Sequence, residues 1–316
     1  MATPRIVSFH EGQTAELIRL WNDVFGDRRN AVPMTPTLWQ ERVVRSDFAP
    51  ELLRVAVVDD AVMGFAHGGL WDQAWCRALF PNENLTRAVY LGCVAVHPNH
   101  RRQGVARSLL QSLRESAGGA PLRADGRMFN PFYGNSRAPV APLWGTPEGL
   151  AVAADDENTV AALTALGFSV QCSATSLACE LGAAGPSPRE SASEWRIESR
   201  KNASPLLGER ETEPFLEPNQ SRTWLALSPT GEIGGALVAF PWSQQGAAWG
   251  IHSLQVDERQ QGVGLAQALL ERVCGDLLEA KAERVEVLTV PEESPAALHV
   301  YEKAGFQRCA EWAIFA

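Results

Sequence analysis

One glycine-bearing turn occurs twice in this 316-residue chain, and its residue types suit the holding of an anion. The first copy lies in VAVHPNHRRQGVARSLL (Val94–Leu110) as Arg101-x-x-Gly104-x-Ala106. The second lies in LQVDERQQGVGLAQALL (Leu254–Leu270) and is read as Arg259-x-x-Gly262-x-Gly264. Each follows an apolar run and opens an amphipathic stretch. A helix start offers amides with no partner in the chain and a partial positive charge. Glycine and a small residue let a phosphate reach that backbone, and arginine adds charge-assisted bonds. The other chemistry-bearing residues are a histidine, His252, beside the second turn and two tyrosines, Tyr133 and Tyr301.

The elements that must carry these residues recur in the same order. The first half reads as a strand at Ile6–Phe9, a helix from about Gln13 to Phe25, and a helix at Thr37–Val44 started by Thr35-Pro36. A hairpin follows, Leu52–Val58 and Ala61–Trp71 about Asp59-Asp60. Then come the buried strand Ala88–Val96, the turn and the helix Val105–Ala117. The second half repeats with strands Thr223–Ser228, Ile233–Phe240 and Ala247–Val256, a helix at Val263–Ala280, a strand at Arg284–Val290 and a helix at Ser294–Lys303. Both halves then reach Gly-Phe, at Gly167-Phe168 and Gly305-Phe306. That order marks an internal duplication of an α/β or α+β layered domain. The Gly/Ala/Ser/Pro-rich segment from Gly182 to Ser193 reads as a linker, leaving domains 1–182 and 194–316 joined by 183–193.

Composition narrows the function classes. A formal net charge of −9 argues against nucleic-acid binding, which needs a basic surface. The six cysteines form no CxxC pair and match no zinc spacing, so no metal is expected and the thiols read as reduced. No run approaches the ~20 apolar residues of a membrane span, and the N-terminus lacks an apolar signal region. A cytoplasmic protein, a monomer or homodimer, is expected. A Rossmann reading is disfavoured, because the turn follows a late strand and not the first.

A repeated strand, Arg-x-x-Gly-x-Gly/Ala turn and helix resembles the GNAT superfamily of acyl-CoA N-acyltransferases, in a tandem layout like that of mycothiol synthase. The resemblance is strong in the strand–turn–helix core and weak in the first ~50 residues of each half. It implies, for each half, a mixed, mostly antiparallel twisted sheet flanked by helices. It also implies that acetyl-CoA is the co-substrate and that a small-molecule amine accepts the acetyl group. Val94 and Val96, or Leu254 and Val256, would bind the pantetheine arm. Arg101, Arg102 and the amides of Gln103, Gly104, Val105 and Ala106 would hold the pyrophosphate. In the second copy Gln261, Gly262, Val263 and Gly264 would do so.

The resemblance also assigns chemistry. Its general acid is often a tyrosine four residues before Gly-Phe; that is Tyr301 in the second half and Leu163 in the first. Its base is often a glutamate six residues before the last strand valine, where this chain has Tyr90 and Gly250. His252, two residues beyond Gly250, is a candidate base of suitable pKa. The proline- and aromatic-rich segment Phe129–Gly149 is expected to line an acceptor pocket with Phe132, Tyr133 and Trp144, and Tyr133 is a candidate substitute for the missing acid. From the last strand valine to the motif glycine is eight residues in the first copy and six in the second, so the second loop reads as shortened. A degenerate CoA-binding regulatory module, and acetylation of a peptide or protein, stay open beside the small-molecule reading.

Overall fold

The computed structural model describes residues 4–28, 30–45, 48–125, 130, 132–134, 142–146, 149–150, 152–182, 195–201, 221–242 and 247–315. The expected linker, 183–193, lies outside them. The chain divides into two compact units. Among the described residues, unit 1 takes the chain up to Ser173 and again from Trp312; unit 2 takes Ala174–Glu311. The units therefore cross the two sequence halves at two places.

Unit 1 is built on a five-stranded sheet in the order β1-β2-β3-β4-β5. Its strands are β1 (Arg5–Ser8), β2 (Leu53–Val58), β3 (Ala61–Trp71), β4 (Ala88–Val96) and β5 (Leu122–Arg123). The β2–β3 hairpin turns through Asp59 and Asp60, both at positive φ (48° and 62°), as a tight two-residue turn requires. On one face lies α4 (Val105–Ser116), whose Val105, Leu109, Leu110 and Leu113 are buried at helical spacing. Each such leucine contributes roughly 1.5–3 kcal/mol of burial. On the same core lies α5 (Glu157–Thr164), through Leu163. The other helices are α1 (Thr14–Phe25), α2 (Pro36–Arg42) and α3 (Gln73–Leu79). Helix α1 buries Leu17, Leu20, Trp21 and Phe25, and Val24 is half-buried. At the start of α2 the Thr35 side chain accepts from the Leu38 amide, the cap read from sequence.

Strand β6 (Val152–Ala153) pairs antiparallel with Trp312 and Ala313 of β13 (Gln307–Phe315). Ala313 and the fully buried Phe315 thus enter the unit 1 core, with Leu109, Leu110 and Leu163. Unit 2 gains the converse strand. Of β7 (Val170–Glu180), Thr175–Glu180 pair antiparallel with β12 (Arg284–Thr289). Beyond β12 its sheet runs through β11 (Ala248–Val256), β10 (Ile233–Pro241), β9 (Arg222–Leu227) and β8 (Arg196–Lys201). Helices α6 (Leu265–Glu279) and α7 (Pro295–Lys303) complete it. The mixed sheets flanked by helices are those the repeat implied. No disulfide joins the six cysteines, five of which are buried.

Candidate functional site

In each unit the strand before the turn opens a gap in its sheet. Strand β4 pairs parallel with β5 only at Val89↔Leu122 and Tyr90↔Arg123. Its pairing with β3 slips at Gly92, because His67 faces Cys93 while Gly68 faces Leu91. Strand β11 does the same: it pairs with β12 as far as Ile251, and its bulge leaves out His252. Beyond these points, among the described residues, the β5 side of β4 and the β12 side of β11 have no strand partner. An extended chain carrying amides can add there as a strand would.

The turns are equivalent in space, with a register that sequence alignment on the first glycine missed. Helix α4 starts after Gly104 (φ 80°), and α6 starts after Gly264 (φ 84°). Both lie eight residues past the last strand valine, Val96 or Val256. A short 3-10 turn sits in each lead-in, Pro98–His100 and Glu258–Gln260. Arg101 Nε donates to the Val96 carbonyl (3.2 Å), and Gln261 Nε2 donates to the Val256 carbonyl (3.5 Å). Gly262 (φ 81°) therefore corresponds to Arg102 (φ 59°), not to Gly104. The second motif is Gln261-x-x-Gly264-x-Ala266, and its loop is not shortened. The free helix-start amides are those of Val105, Ala106 and Arg107, and of Leu265, Ala266 and Gln267, since the Gly104 and Gly264 carbonyls accept first from Ser108 and Ala268. Leu265, Ala266 and Gln267 were missed for want of the correct register, and Arg107 because the amides read in the first copy end at Ala106.

Electrostatics separates the two turns. In unit 1 a cavity of about 320 Å³ is lined by Val94 and Val96 of β4, by Arg101, Arg102, Gly104, Val105 and Ala106 of the turn, by Arg107, and by Arg28 with its ion-pair partner Asp156 (3.9 Å). Gln103 does not line it; its side chain donates to the Asn99 carbonyl (3.2 Å). The segment His97–Arg107 holds three arginines and no acid. Its counterpart, Asp257–Gln267, holds one arginine against Asp257 and Glu258, and Val263 is 63% exposed. An anion with several phosphate charges fits the first turn and is opposed by the second.

The comparisons with known proteins show the family and the tandem fold. The sequence profile of the Acetyltransferase (GNAT) family matches residues 14–131 and again 189–306. The chain belongs to the GNAT acetyltransferase family. It is 30% identical over 238 residues to a mycothiol acetyltransferase of Kineococcus radiotolerans, covering 69% of each chain. It is 28% identical over 229 residues to that of Salinispora arenicola, covering 68% of this chain and 69% of the relative. Among solved structures it resembles a GCN5-related N-acetyltransferase from Sphaerobacter thermophilus (TM-score 0.63, 17% identity, 99% of this chain and 94% of that one). It also resembles a tandem GNAT protein from the clavulanic acid biosynthesis pathway (TM-score 0.62, 16% identity, 99% and 98%). Tandem GNAT architecture and acyl transfer as the general activity follow. Among the described residues no helix is long and apolar enough to cross a membrane, and no group of metal-ligating side chains is assembled.

In this GNAT protein the acid–base candidates of the two units differ. In unit 2, Tyr301 sits one turn before Gly305 (φ 90°), packed on Phe306 with ring centroids 5.7 Å apart. Burial holds its phenol well above the usual value. Leu163 occupies the same place before Gly167 (φ 91°) in unit 1. His252, the bulge residue of β11, lies against Phe240 (6.3 Å), the cross-strand partner of Gly250. A side chain at Gly250 would collide with the Trp242 indole, so that indole fills the place where the family carries its glutamate.

In unit 1, Tyr133 is fully buried, stacked on Trp21 (5.2 Å). Its hydroxyl is 2.9 Å from Nδ1 of His67, on β3. Asn130, three residues earlier, donates to the Gly92 carbonyl at the β4 bulge (2.7 Å) and accepts from the Tyr133 amide (3.2 Å). Phe132 is buried and Trp144 half-buried; the rest of the expected pocket segment lies partly outside the described residues. Sequence reading passed over His67, a lone histidine in the apolar run AVMGFAHGGLW. Burial lowers its pKa to about 3, so it is neutral at ordinary pH. The unfolded chain takes up a proton below about pH 6.5 and the native one does not, so this histidine withdraws stability as pH falls from about 6.5 towards 3. Between pH 7 and 4.5 the loss is on the order of 3 kcal/mol. Urea unfolding at the two pH values should show His67→Gln losing less stability than wild type by about that amount. An equal loss in both proteins would mean that the imidazole is protonated in the fold.

Proposed function

We propose that the protein is an acetyl-CoA-dependent N-acetyltransferase acting on a small-molecule amine, with its donor site in unit 1. The observation that carries this reading is the cavity joining the open edge of β4 to the arginine-lined turn. The edge suits the two amides of a pantetheine arm, and the helix start with Arg101, Arg102 and Arg107 suits the pyrophosphate. The bulge at Gly92 then lies at the thioester end, where the sheet has parted.

In the transfer, the amine nitrogen attacks the thioester carbonyl, the carbon–sulfur bond breaks, the amine gives up a proton and the thiolate takes one. Backbone N–H groups at the bulge are suited to polarising the carbonyl oxygen. Tyr133, packed beside Gly92 and bonded to His67, is the candidate proton donor to sulfur in unit 1. Tyr301 and His252 remain the candidates in unit 2. A cytoplasmic monomer or homodimer is part of the same reading.

A second reading is supported by the burial of both tyrosines and by the absence of a carboxylate at Tyr90 and Gly250. In it the protein binds CoA as a sensed ligand without turnover. Free-thiol release from acetyl-CoA across an amine library separates the two. Turnover with any amine rejects the sensing module; acetyl-CoA binding without turnover across the library rejects the enzyme.

A further inference from the structure

Among the described residues, unit 1 encloses three polar donors and one imidazole nitrogen that have no hydrogen-bond partner. Trp39 Nε1, Arg42 Nε, His67 Nε2 and Asn30 Nδ2 are buried and without a hydrogen-bond partner among the described residues. All four side chains are at least nine-tenths buried. Buried polar atoms in folded proteins are normally satisfied, so each of these needs a reason, and a charged one most of all. Arg42 bonds there to an uncharged group, the Gly134 carbonyl (2.6 Å). Burial and the adjacent Arg45 pull its pKa down to about 10, as expected of a cation with no anion beside it among the described residues.

Trp39, Arg42 and His67 lie in one neighbourhood of unit 1. Trp39 and Arg42 stand three residues apart on α2 and so share a face. The Phe9 ring lies 6.4 Å from Trp39 and 5.6 Å from Phe48, and Phe48 lies 5.5 Å from His67. From the other side, Gly134 meets Arg42, Tyr133 meets His67, and Asn130 meets Gly92 at the bulge. The Gly134 amide bonds back to the Asn130 carbonyl (3.0 Å), so about one turn of chain separates Arg42 from the parted strand. Water could satisfy the neutral donors, but it leaves the guanidinium uncompensated.

Building on the acetyltransferase reading, we propose that Arg42, with Trp39, recognises an oxyanion on the acceptor, so that the accepted amine also carries a carboxylate or a phosphate. A planar guanidinium fork suits a carboxylate in two-point contact, and the indole N–H adds a neutral donor.

The test uses the intact protein and matched amines: α-amino acids, their carboxamides and O-phosphoethanolamine. Acids or the phosphate should be acetylated with kcat/KM at least about tenfold above the carboxamides, and Arg42→Gln should erase that preference. Equal turnover of acid and carboxamide, or a preference that survives Arg42→Gln, overturns the proposal. If no amine turns over, the acetyltransferase reading fails separately, and thermal unfolding decides on the site. The acids or O-phosphoethanolamine should then raise the Tm of wild type and not that of Arg42→Gln; no rise with any of them overturns the site. Arg42→Met, without ligand, should keep or raise the Tm, because it removes an uncompensated charge. A drop of more than about 5 °C assigns Arg42 to the fold and also overturns the proposal.

Discussion

Reversing the two turn arginines of unit 1, Arg101→Glu with Arg102→Glu, should weaken acetyl-CoA binding by more than about 100-fold. Each charge-assisted bond is worth about 1.5–3 kcal/mol, roughly 10- to 100-fold in affinity, and reversal adds repulsion of the pyrophosphate. Both side chains line the cavity and are exposed, so the fold should not suffer. The matching change in unit 2, Arg259→Glu, should alter binding by less than about threefold, because that turn already carries Asp257 and Glu258. Titration calorimetry on the two variants reads both effects. Comparable losses in both would mean that the charge difference between the turns does not choose the donor site.

The second large effect falls far from either turn in sequence. Phe315 is fully buried in the unit 1 core, and Ala313 beside it packs there too. Phe315→Ala should destabilise unit 1 by about 3–5 kcal/mol, a large share of a typical domain's 5–15 kcal/mol. Residues 1–182 expressed alone lack this strand and should show no cooperative unfolding. Residues 194–316 alone lack Thr175–Glu180, the antiparallel neighbour of β12, and should fare as badly. Urea unfolding checks all three. A cooperative transition in 1–182 at the midpoint of the intact chain would show that Phe315 matters little to unit 1.

The same strands show where sequence reading stops. The runs Ala88–Val96 and Val105–Ala117 were legible because a buried strand and an amphipathic helix leave distinct periods. Strand β13, by contrast, follows Gly-Phe with QRCAEWAIF, and nothing in that pattern says which core receives Phe315. The register of the second turn was misread for a local reason. Gly262 draws the eye as the first glycine, yet its counterpart, Arg102, holds a positive φ without being glycine. The reliable marker is the left-handed residue that starts the helix, Gly104 or Gly264. The candidate site was half legible. The turn announces an anion, whereas His67 and Arg42 gain meaning only when packing brings a tyrosine, a tryptophan and a carbonyl from distant segments around them.

The most direct measurement of the central claim is a crystal structure grown with CoA. Density should lie in unit 1, its phosphates at the amides of Val105 and Ala106 beside Arg101 and Arg102, and its arm along Val94–Val96. Density confined to the Gln261–Ala266 turn of unit 2, with the unit 1 cavity empty, would contradict the account.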